Sequence, residues 1–260
     1  MTRRPSISVI VLLLVIVLVL LVVIFRREFV GQMLFVADGR NLVKNGSFEA
    51  GNPTGTDDEV FVGGPNCKML CDGSTTIDGW QVSGKGVLHP NRTCTNGKAA
   101  DAICWTINPP QCLPQSPPCP DSFGIAAQDG NRFVDLTGFG GRTPDRYGTV
   151  SQAVPTEVEK TYELTFWIGS SSKFPADGLG VFVEIPEVTR GFFLLAPPPQ
   201  TLSQWPQAPS TFRFKATSQT MTLKFTGAVS QGNGSDYIGI DNVSLQKVCF
   251  IVVAKLFGCP

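Results

Sequence analysis

The residues of this chain best suited to contact a ligand are gathered in one glycine-rich loop, residues 138–147. Arg142, Arg146 and Tyr147 stand there among three glycines. Glycine lets a backbone approach a ligand closely, a guanidinium group donates several hydrogen bonds from a fixed plane, and a tyrosine ring joins an apolar face to a polar tip. The pattern makes this segment a candidate binding loop, and a solvated loop that binds nothing is the alternative that the sequence leaves open.

Two short segments at opposite ends of the chain each place one carboxylate among polar and turn-forming residues. Residues 41–49 end on Glu49, and residues 237–245 contain Asp241. Strand ends of this kind supply carboxylate and backbone carbonyl oxygens, which are the ligands that calcium prefers. The alternative is that Glu49 caps a turn and that Asp241 accepts hydrogen bonds from nearby backbone amides.

These two segments resemble the first and last strands of the jelly-roll carbohydrate-binding modules in the galactose-binding-like superfamily. The resemblance covers most of residues 41–248, because residues 128–136, 150–154 and 162–168 also match. It implies an all-β fold, a jelly-roll β-sandwich whose first and last strands pair in space. It also implies sugar binding, a structural calcium ion and no catalysis. The chain departs from the family at residues 65–120, an insertion rich in cysteine and proline.

The resemblance also implies roles for individual residues. Glu49 and Asp241 would be ligands of a structural calcium ion that ties the first strand to the last. Asp129, in an Asp-Gly-Asn turn, is a further candidate ligand, although such turns are common without metal. Trp80 resembles the family's early tryptophan. Two roles stay open for it, a contact with the ligand and a position in the core. The predicted ligand-binding residues are therefore Trp80, Arg142, Arg146 and Tyr147.

Alternation of apolar and polar residues predicts strands within residues 162–168, 212–216 and 221–225. The Ser218-Gln219 turn between the last two predicts a hairpin. Inside the first strand Trp167 is expected to be buried, whereas Trp105 and Trp205 are further aromatic candidates for a sugar contact. Prolines predict loops within residues 108–120 and 196–209.

Eight cysteines lie on the C-terminal side of an apolar N-terminal segment. An even number in a chain directed to a membrane predicts disulfide bonds in an oxidising compartment. A zinc site would need closely paired ligands such as C-x2-C, and the sequence contains no C-x2-C pair. Cys249 and Cys259 are expected to form a local bridge, since they stand apart from the other six. The predicted disulfide-bonded residues are Cys67, Cys71, Cys94, Cys104, Cys112, Cys119, Cys249 and Cys259.

Residues 7–25 are apolar apart from Ser8, and as a helix they would span roughly 28 Å, close to the thickness of a bilayer core. The run is longer than the apolar region of a cleavable signal peptide. Residues 1–27 are therefore predicted to be one transmembrane signal anchor with the N-terminus inside. Residues 28–40 would be a connector, 41–248 the β-sandwich domain and 249–260 a disulfide-closed tail. The domain would then be extracytoplasmic, at a cell surface or in a periplasm, lumen or virion.

Composition excludes several functional classes. Lys plus Arg and Asp plus Glu both number 21, so the chain has no net field for nucleic acid. The single histidine, His89, has no Gly-x-Ser-x-Gly elbow beside it. The sequence thus predicts a non-enzymatic protein that binds carbohydrate or a glycosylated surface. The alternative is a structural protein of a cell envelope, cell wall or virion coat that packs against protein neighbours, and a glycoside-active enzyme is a third interpretation.

Overall fold

The fold was obtained as a computed structural model, which describes residues 34–52, 67–84, 103–107, 127–136, 147–169, 179–186, 188–194, 205–229 and 238–251. These residues form twelve strands. The strands are β1 (Leu34–Ala37), β2 (Cys67–Leu70), β3 (Gln81–Ser83), β4 (Ile103–Ile107), β5 (Arg132–Asp135), β6 (Thr149–Pro155), β7 (Thr161–Gly169), β8 (Leu179–Ile185), β9 (Thr189–Leu194), β10 (Ser210–Lys215), β11 (Thr220–Val229) and β12 (Gly239–Ile251). The prediction of an all-β fold is confirmed for the described part of the chain. None of the described residues forms a helix able to cross a membrane, and the predicted anchor, residues 1–27, lies outside them.

Two sheets make up the fold. Sheet I has the strand order β10-β7-β12-β5-β4-β2, with β1 also paired to β12, and sheet II has the order β3-β6-β11-β8-β9. The neighbours β7 and β10, β6 and β11, and β8 and β11 are antiparallel. One apolar core includes residues from both sheets, and Phe166 of β7 meets Phe225 of β11 edge to face at 5.3 Å between ring centroids. This is the arrangement of a β-sandwich.

The predicted alternation in β7 is confirmed. Tyr162, Leu164, Phe166 and Ile168 are all buried, because successive side chains of a strand point to opposite faces. Trp167 lies on the other face, where it is partly buried against a small cluster formed by Phe133 and Trp205. Sheet I therefore has apolar packing on both of its faces at this point.

The predicted hairpin around Ser218-Gln219 is wrong. β10 pairs with β7 in sheet I, whereas β11 pairs with β6 and β8 in sheet II. The connection therefore crosses from one sheet to the other, and it is tied to the β6–β7 connection, which crosses beside it. Thr156 donates its amide to Gln219 O at 2.9 Å, and Ala216 donates its own to Lys160 O at 2.9 Å. Alternation predicts two strands here but cannot tell which sheet receives each of them.

Residues 41–49 lie beside the last strand, as the resemblance implies, but they form turns rather than a strand. Leu42 N donates to Leu245 O at 2.8 Å, and Val243 N donates to Gly46 O at 2.9 Å. Asn45 and Phe48 have φ angles of 51° and 57°, which no regular strand contains. Gly46 permits the close approach, since a Cβ at this position would lie 1.9 Å from Val243 O.

The insertion at residues 65–120 contributes two strands to sheet I. β2 pairs antiparallel with β4, and β4 pairs antiparallel with β5. The insertion thus extends sheet I beyond β5 at the end opposite β10. Sequence alone does not indicate this position, because Pro and Cys usually mark loops rather than sheet strands.

The chain divides into two compact units, a larger one of Gly39–Lys247 and a smaller one of Met1–Asp38 with Val248–Pro260. In the smaller unit β1 pairs antiparallel with the end of β12, from Ala37 opposite Val248 to Leu34 opposite Ile251. The predicted connector therefore contains a strand, and the predicted tail begins within β12. Leu34 and Val36 are apolar and could belong to a helix or to a strand, and the pairing with β12 shows that they belong to a strand.

Candidate functional site

Two carboxylates hold one turn of the backbone between them, and we call Glu49, Asp241 and the turn at residues 128–132 the carboxylate clamp. Asp241 Oδ2 accepts hydrogen bonds from the amides of Gln128 at 2.8 Å and Asp129 at 3.0 Å. Glu49 Oε1 accepts hydrogen bonds from the amides of Asn131 at 2.7 Å and Arg132 at 2.6 Å. Each end of the turn is thus bound by a carboxylate from a different part of the chain.

The turn fits the clamp because of its glycine. Gly130 has a φ of 68°, in the left-handed region that glycine enters without steric cost. A Cβ on Gly130 would lie 2.5 Å from Glu49 Oε1, so no side chain can be added without moving the carboxylate. The Asp-Gly-Asn sequence therefore serves as the site against which Glu49 packs.

Asp241 is fully buried. Its Oδ1 also accepts a hydrogen bond from the amide of Asn242 at 2.7 Å, so three amides face this carboxylate. Burial raises the pKa of Asp241 to about 7, against the opposing effect of the amides of Asp129, Asn242 and Gln128. Desolvation disfavours the charged form, and here it outweighs the hydrogen bonds that favour it.

The clamp fits a calcium ion in its donor chemistry. It brings two carboxylates to the ends of one turn, and calcium prefers such hard oxygen ligands, although the turn itself presents amide N–H groups to both carboxylates. A cation would also offset the desolvation of the Asp241 anion. The described residues contain no group of three or more His, Cys, Asp or Glu placed to hold a metal, so backbone carbonyls would have to complete the shell. Asp129 is exposed, and it enters the clamp through its amide rather than through its side chain.

Trp80 lies in the core. Its side chain is 2% exposed, its ring lies 5.0 Å from that of Phe48, and its Nε1 donates to Asn45 O at 3.0 Å. A ring enclosed in this way has no free face for a sugar, so the ligand contact predicted for Trp80 is wrong and the core alternative is right. The large ring fills the space between the turns at residues 41–49 and sheet II.

The other aromatic candidates are distributed differently. Tyr147 is half-buried and packs against the core immediately before β6. Trp205 is buried, and its ring meets that of Phe133 edge to face at 5.7 Å. The predicted loop residues Arg142 and Arg146 lie outside the described residues, and so does the side chain of Trp105 in β4. Their roles in ligand binding stay predictions.

Cys71 and Cys249 are both disulfide-bonded. No cysteine in the described part of the chain is free. Cys249 stands opposite Val36 in the pairing of β12 with β1. The expected Cys249–Cys259 bridge and the pairing of the other six cysteines stay predictions.

A second candidate site lies on the outer face of sheet II, at the strand pair β8 and β9. We call Phe182, Arg190, Phe192 and Leu194 the aromatic edge. Phe192 is 37% exposed and Leu194 is 59% exposed. The rings of Phe182 and Phe192 lie 4.7 Å apart, and the Arg190 guanidinium carbon lies 4.1 Å from the centre of the Phe182 ring.

The register of β8 and β9 explains why these side chains meet. Phe182 stands directly opposite Phe192, and Glu184 stands opposite Arg190. Gly180 leaves room for the Phe192 ring, since a Cβ there would lie 2.8 Å from two of its carbons. Phe193, the next residue, turns to the other face and contacts Phe166 edge to face at 5.1 Å. β9 thus presents aromatic rings to both the core and the outer face.

Polar side chains continue the outer face beyond the aromatic edge. Thr226 of β11 stands opposite Phe182 and shares a hydrogen bond of 2.9 Å with Thr149 of β6. In the next row Lys224 forms an ion pair of 3.5 Å with Glu184. Aromatic rings beside hydroxyl, carboxylate and guanidinium groups are the set that sugar recognition uses.

Sequence reasoning missed the aromatic edge. The signal was available in the alternation of Arg190, Phe192 and Leu194 along a six-residue segment. The adjacent Phe192-Phe193 pair hides this signal, because one ring of the pair belongs to the core and the other does not. Only the register assigns each ring to its face.

Comparison with known proteins gives a fold-level likeness. The chain matches no family model and no curated protein, but it is similar to 37 solved chains. TmCBM61 in complex with beta-1,4-galactotriose is 15% identical with a TM-score of 0.43, over 80% of this chain and 99% of that one. A structure described as "CBM4 structure and function" is 14% identical with a TM-score of 0.33, over 79% and 99% of the two chains. The enzymatically active domain of bacteriophage CBA120 tailspike protein 4 is 12% identical with a TM-score of 0.39, over 80% of this chain and 21% of that chain.

Proposed function

We propose that the β-sandwich is a non-catalytic carbohydrate-binding module. The observation that carries this proposal is the aromatic edge, where the exposed Phe192 ring packs against Phe182, the Arg190 guanidinium lies over the Phe182 ring, and the Lys224–Glu184 ion pair lies in the next row of the same face. A flat ring of this kind stacks on the apolar face of a pyranose, while the polar groups bind its hydroxyls. The resemblance of the end segments to sugar-binding modules supports the same function.

A glycan array tests the proposal. The full chain in detergent should bind a restricted set of glycans, and Phe192→Ala should abolish that binding. Val158→Ala is the matched control, because Val158 is 46% exposed and lies in the β6–β7 connection, outside the aromatic edge. Absence of binding by a folded chain, or equal loss in both variants, would contradict the proposal.

We further propose that calcium binds at the carboxylate clamp through Glu49 and Asp241. The ion would supply a positive charge at a buried carboxylate and so stabilise the fold, without touching the sugar. Metal analysis of the purified protein should find about one calcium ion per chain, and chelation should lower the melting temperature. Glu49→Gln with Asp241→Asn should remove both effects. A melting temperature indifferent to calcium and chelator would overturn this assignment.

We also propose that residues 1–27 anchor the protein in a membrane with the β-sandwich outside. The apolar run in residues 7–25 and the even number of cysteines support this topology. A membrane-impermeant protease added to intact cells should digest the sandwich while an N-terminal tag stays protected. Protection of the sandwich would contradict the proposal.

A structural role is the second candidate function, and the edge position of β9 favours it. An edge strand with exposed apolar side chains such as Leu194 offers a surface for a protein neighbour. Stoichiometric co-purification of an envelope or coat protein that depends on Leu194 would favour this role. Binding to purified polysaccharide alone would favour the module.

A further inference from the structure

The charge balance of the aromatic edge restricts the ligand. In one row of sheet II, Lys224 stands opposite Glu184, and Glu184 stands opposite Arg190. These side chains carry two positive charges and one negative charge. The carboxylate is engaged by Lys224 at 3.5 Å, and among the described residues Arg190 has no carboxylate partner within ion-pair distance. Among the described residues this row therefore has an excess of one positive charge, in a chain whose formal net charge is zero.

The position of Arg190 is defined by the ring beneath it. Its guanidinium carbon lies 4.1 Å from the centre of the Phe182 ring. A guanidinium that stacks on an aromatic ring is oriented by it and keeps its edge, with the N–H donors, free for a ligand. A planar donor fork of this kind matches carboxylate and sulfate oxygens with two parallel hydrogen bonds. Less side-chain entropy is lost on binding because the group is already oriented.

The spacing on β9 joins this charge to the stacking ring. Arg190 and Phe192 are two residues apart on one strand and share its outer face, so their Cα atoms lie about 6.6 Å apart. One substituted pyranose with one hydrogen bond can span that separation. A sugar stacked on Phe192 therefore brings an anionic substituent to Arg190.

We propose that the aromatic edge binds an anionic pyranose, a uronic acid or a sulfated sugar, with its ring on Phe192 and its anionic group on Arg190. This inference rests on the proposed carbohydrate-binding function and names the ligand class for the same site. Carboxylate and sulfate share the chemistry that Arg190 recognises, and matched polymers separate them.

The test is a titration of the full chain in detergent with paired polysaccharides. Polygalacturonate is compared with its fully methyl-esterified form, and dextran sulfate is compared with dextran. We expect tighter binding of at least one anionic polymer than of its neutral partner. Arg190→Gln should weaken that binding by about tenfold to a hundredfold, the effect of losing hydrogen bonds to a charged group. Arg190→Lys keeps the charge without the planar fork, so it should restore the affinity only in part.

Controls separate sugar recognition from simple charge attraction. Polyglutamate, a polyanion without sugar rings, should bind weakly, and Phe192→Ala should reduce binding to the anionic polysaccharide while Val158→Ala should not. Thermal unfolding of each variant checks that the exposed substitutions leave the fold intact.

The possible results distinguish a failure of the anionic-ligand inference from a failure of the proposed carbohydrate-binding function. Equal affinity for acidic and neutral polymers, lost in Phe192→Ala and unchanged in Arg190→Gln, would overturn the anionic ligand and keep the carbohydrate-binding function. Polyglutamate binding as tight as that of polygalacturonate would also overturn it. Absence of binding to every polysaccharide would remove the proposed function and this inference together.

Discussion

The carboxylate clamp and the aromatic edge use charge in opposite ways. Asp241 is fully buried and accepts three backbone amide hydrogen bonds, so its interactions serve the chain itself. Arg190 is exposed on the edge strand β9, with its guanidinium over the ring of Phe182. A buried polar group has to be satisfied internally, whereas an exposed and oriented one remains available to a ligand. From this difference we expect the clamp to contribute stability, and we propose recognition for the edge.

The strongest test of this comparison is the pH dependence that Asp241 should give to the free energy of unfolding. Because the folded-state pKa is raised to about 7, the stabilising contribution is fully present below the unfolded pKa of about 4 and is lost as the pH rises through 7. In chelator the free energy of unfolding should fall across this window by as much as about 4 kcal/mol, because the pKa of Asp241 is about three higher in the folded state than in the unfolded state. Asp241→Asn should flatten this dependence.

The measurement is denaturant unfolding of both proteins at several pH values between 4 and 8. Arg190→Gln is the matched variant from the edge and should keep the wild-type profile. A fall of equal size in Asp241→Asn and the wild type would assign the titration to other groups. Saturating calcium should reduce the fall, because the ion favours the ionised carboxylate.

Glycine substitutions test the clamp on a smaller scale. Gly130 and Gly39 have similar φ angles of 68° and 79°, but a Cβ on Gly130 meets Glu49 Oε1 at 2.5 Å while one on Gly39 meets nothing within 4 Å. Alanine should cost about 1–2 kcal/mol of backbone strain at either site. Gly130→Ala should cost about 1–3 kcal/mol more, because the carboxylate has to move.

The difference between the two alanine variants isolates the contact with Glu49 from the strain. Chemical denaturation of both variants measures it. Equal destabilisation would show that Glu49 relaxes freely, and the clamp would then be looser than its hydrogen bonds indicate.

The smallest effect on stability is expected at the aromatic edge. Phe192→Ala removes an exposed ring from an outer face and should change the free energy of unfolding by less than about 0.5–1 kcal/mol. The same variant should lose glycan binding, so this substitution should affect binding with little effect on stability. A destabilisation of several kcal/mol would place Phe192 with the core and remove the distinction between the two regions.

The sequence predicts the periodic parts of this fold well. The burial of Tyr162, Leu164, Phe166 and Ile168 follows from alternation alone. The proximity of residues 41–49 to β12 follows from the family resemblance, although the turns at Asn45 and Phe48 do not. Local pattern therefore indicates which residues face inward, but not the backbone path between them.

Features that depend on the surrounding fold or on strand pairing could not be predicted from the sequence. Trp80 is an aromatic residue after a turn, and only the surrounding fold shows that it is enclosed by Phe48 and Phe225. The Ser218-Gln219 turn has the sequence of a hairpin and the structure of a crossover. Arg190 and Phe182 meet because of the register between β8 and β9, and this register depends on the geometry of the short connection between them, which the residue pattern alone does not give.

The pairing of residues 41–46 with the last strand has a consequence for how the chain reaches its native state. Asn41 Oδ1 accepts the amide of Leu245, 204 positions later in the chain. Contacts of such high sequence separation slow folding, because a long loop is closed before they form. During synthesis the first residues of the sandwich therefore stay unpaired until β12 has been made. Throughout that interval their turn lacks its partner, which makes the synthesis of β12 the step at which the sandwich becomes complete.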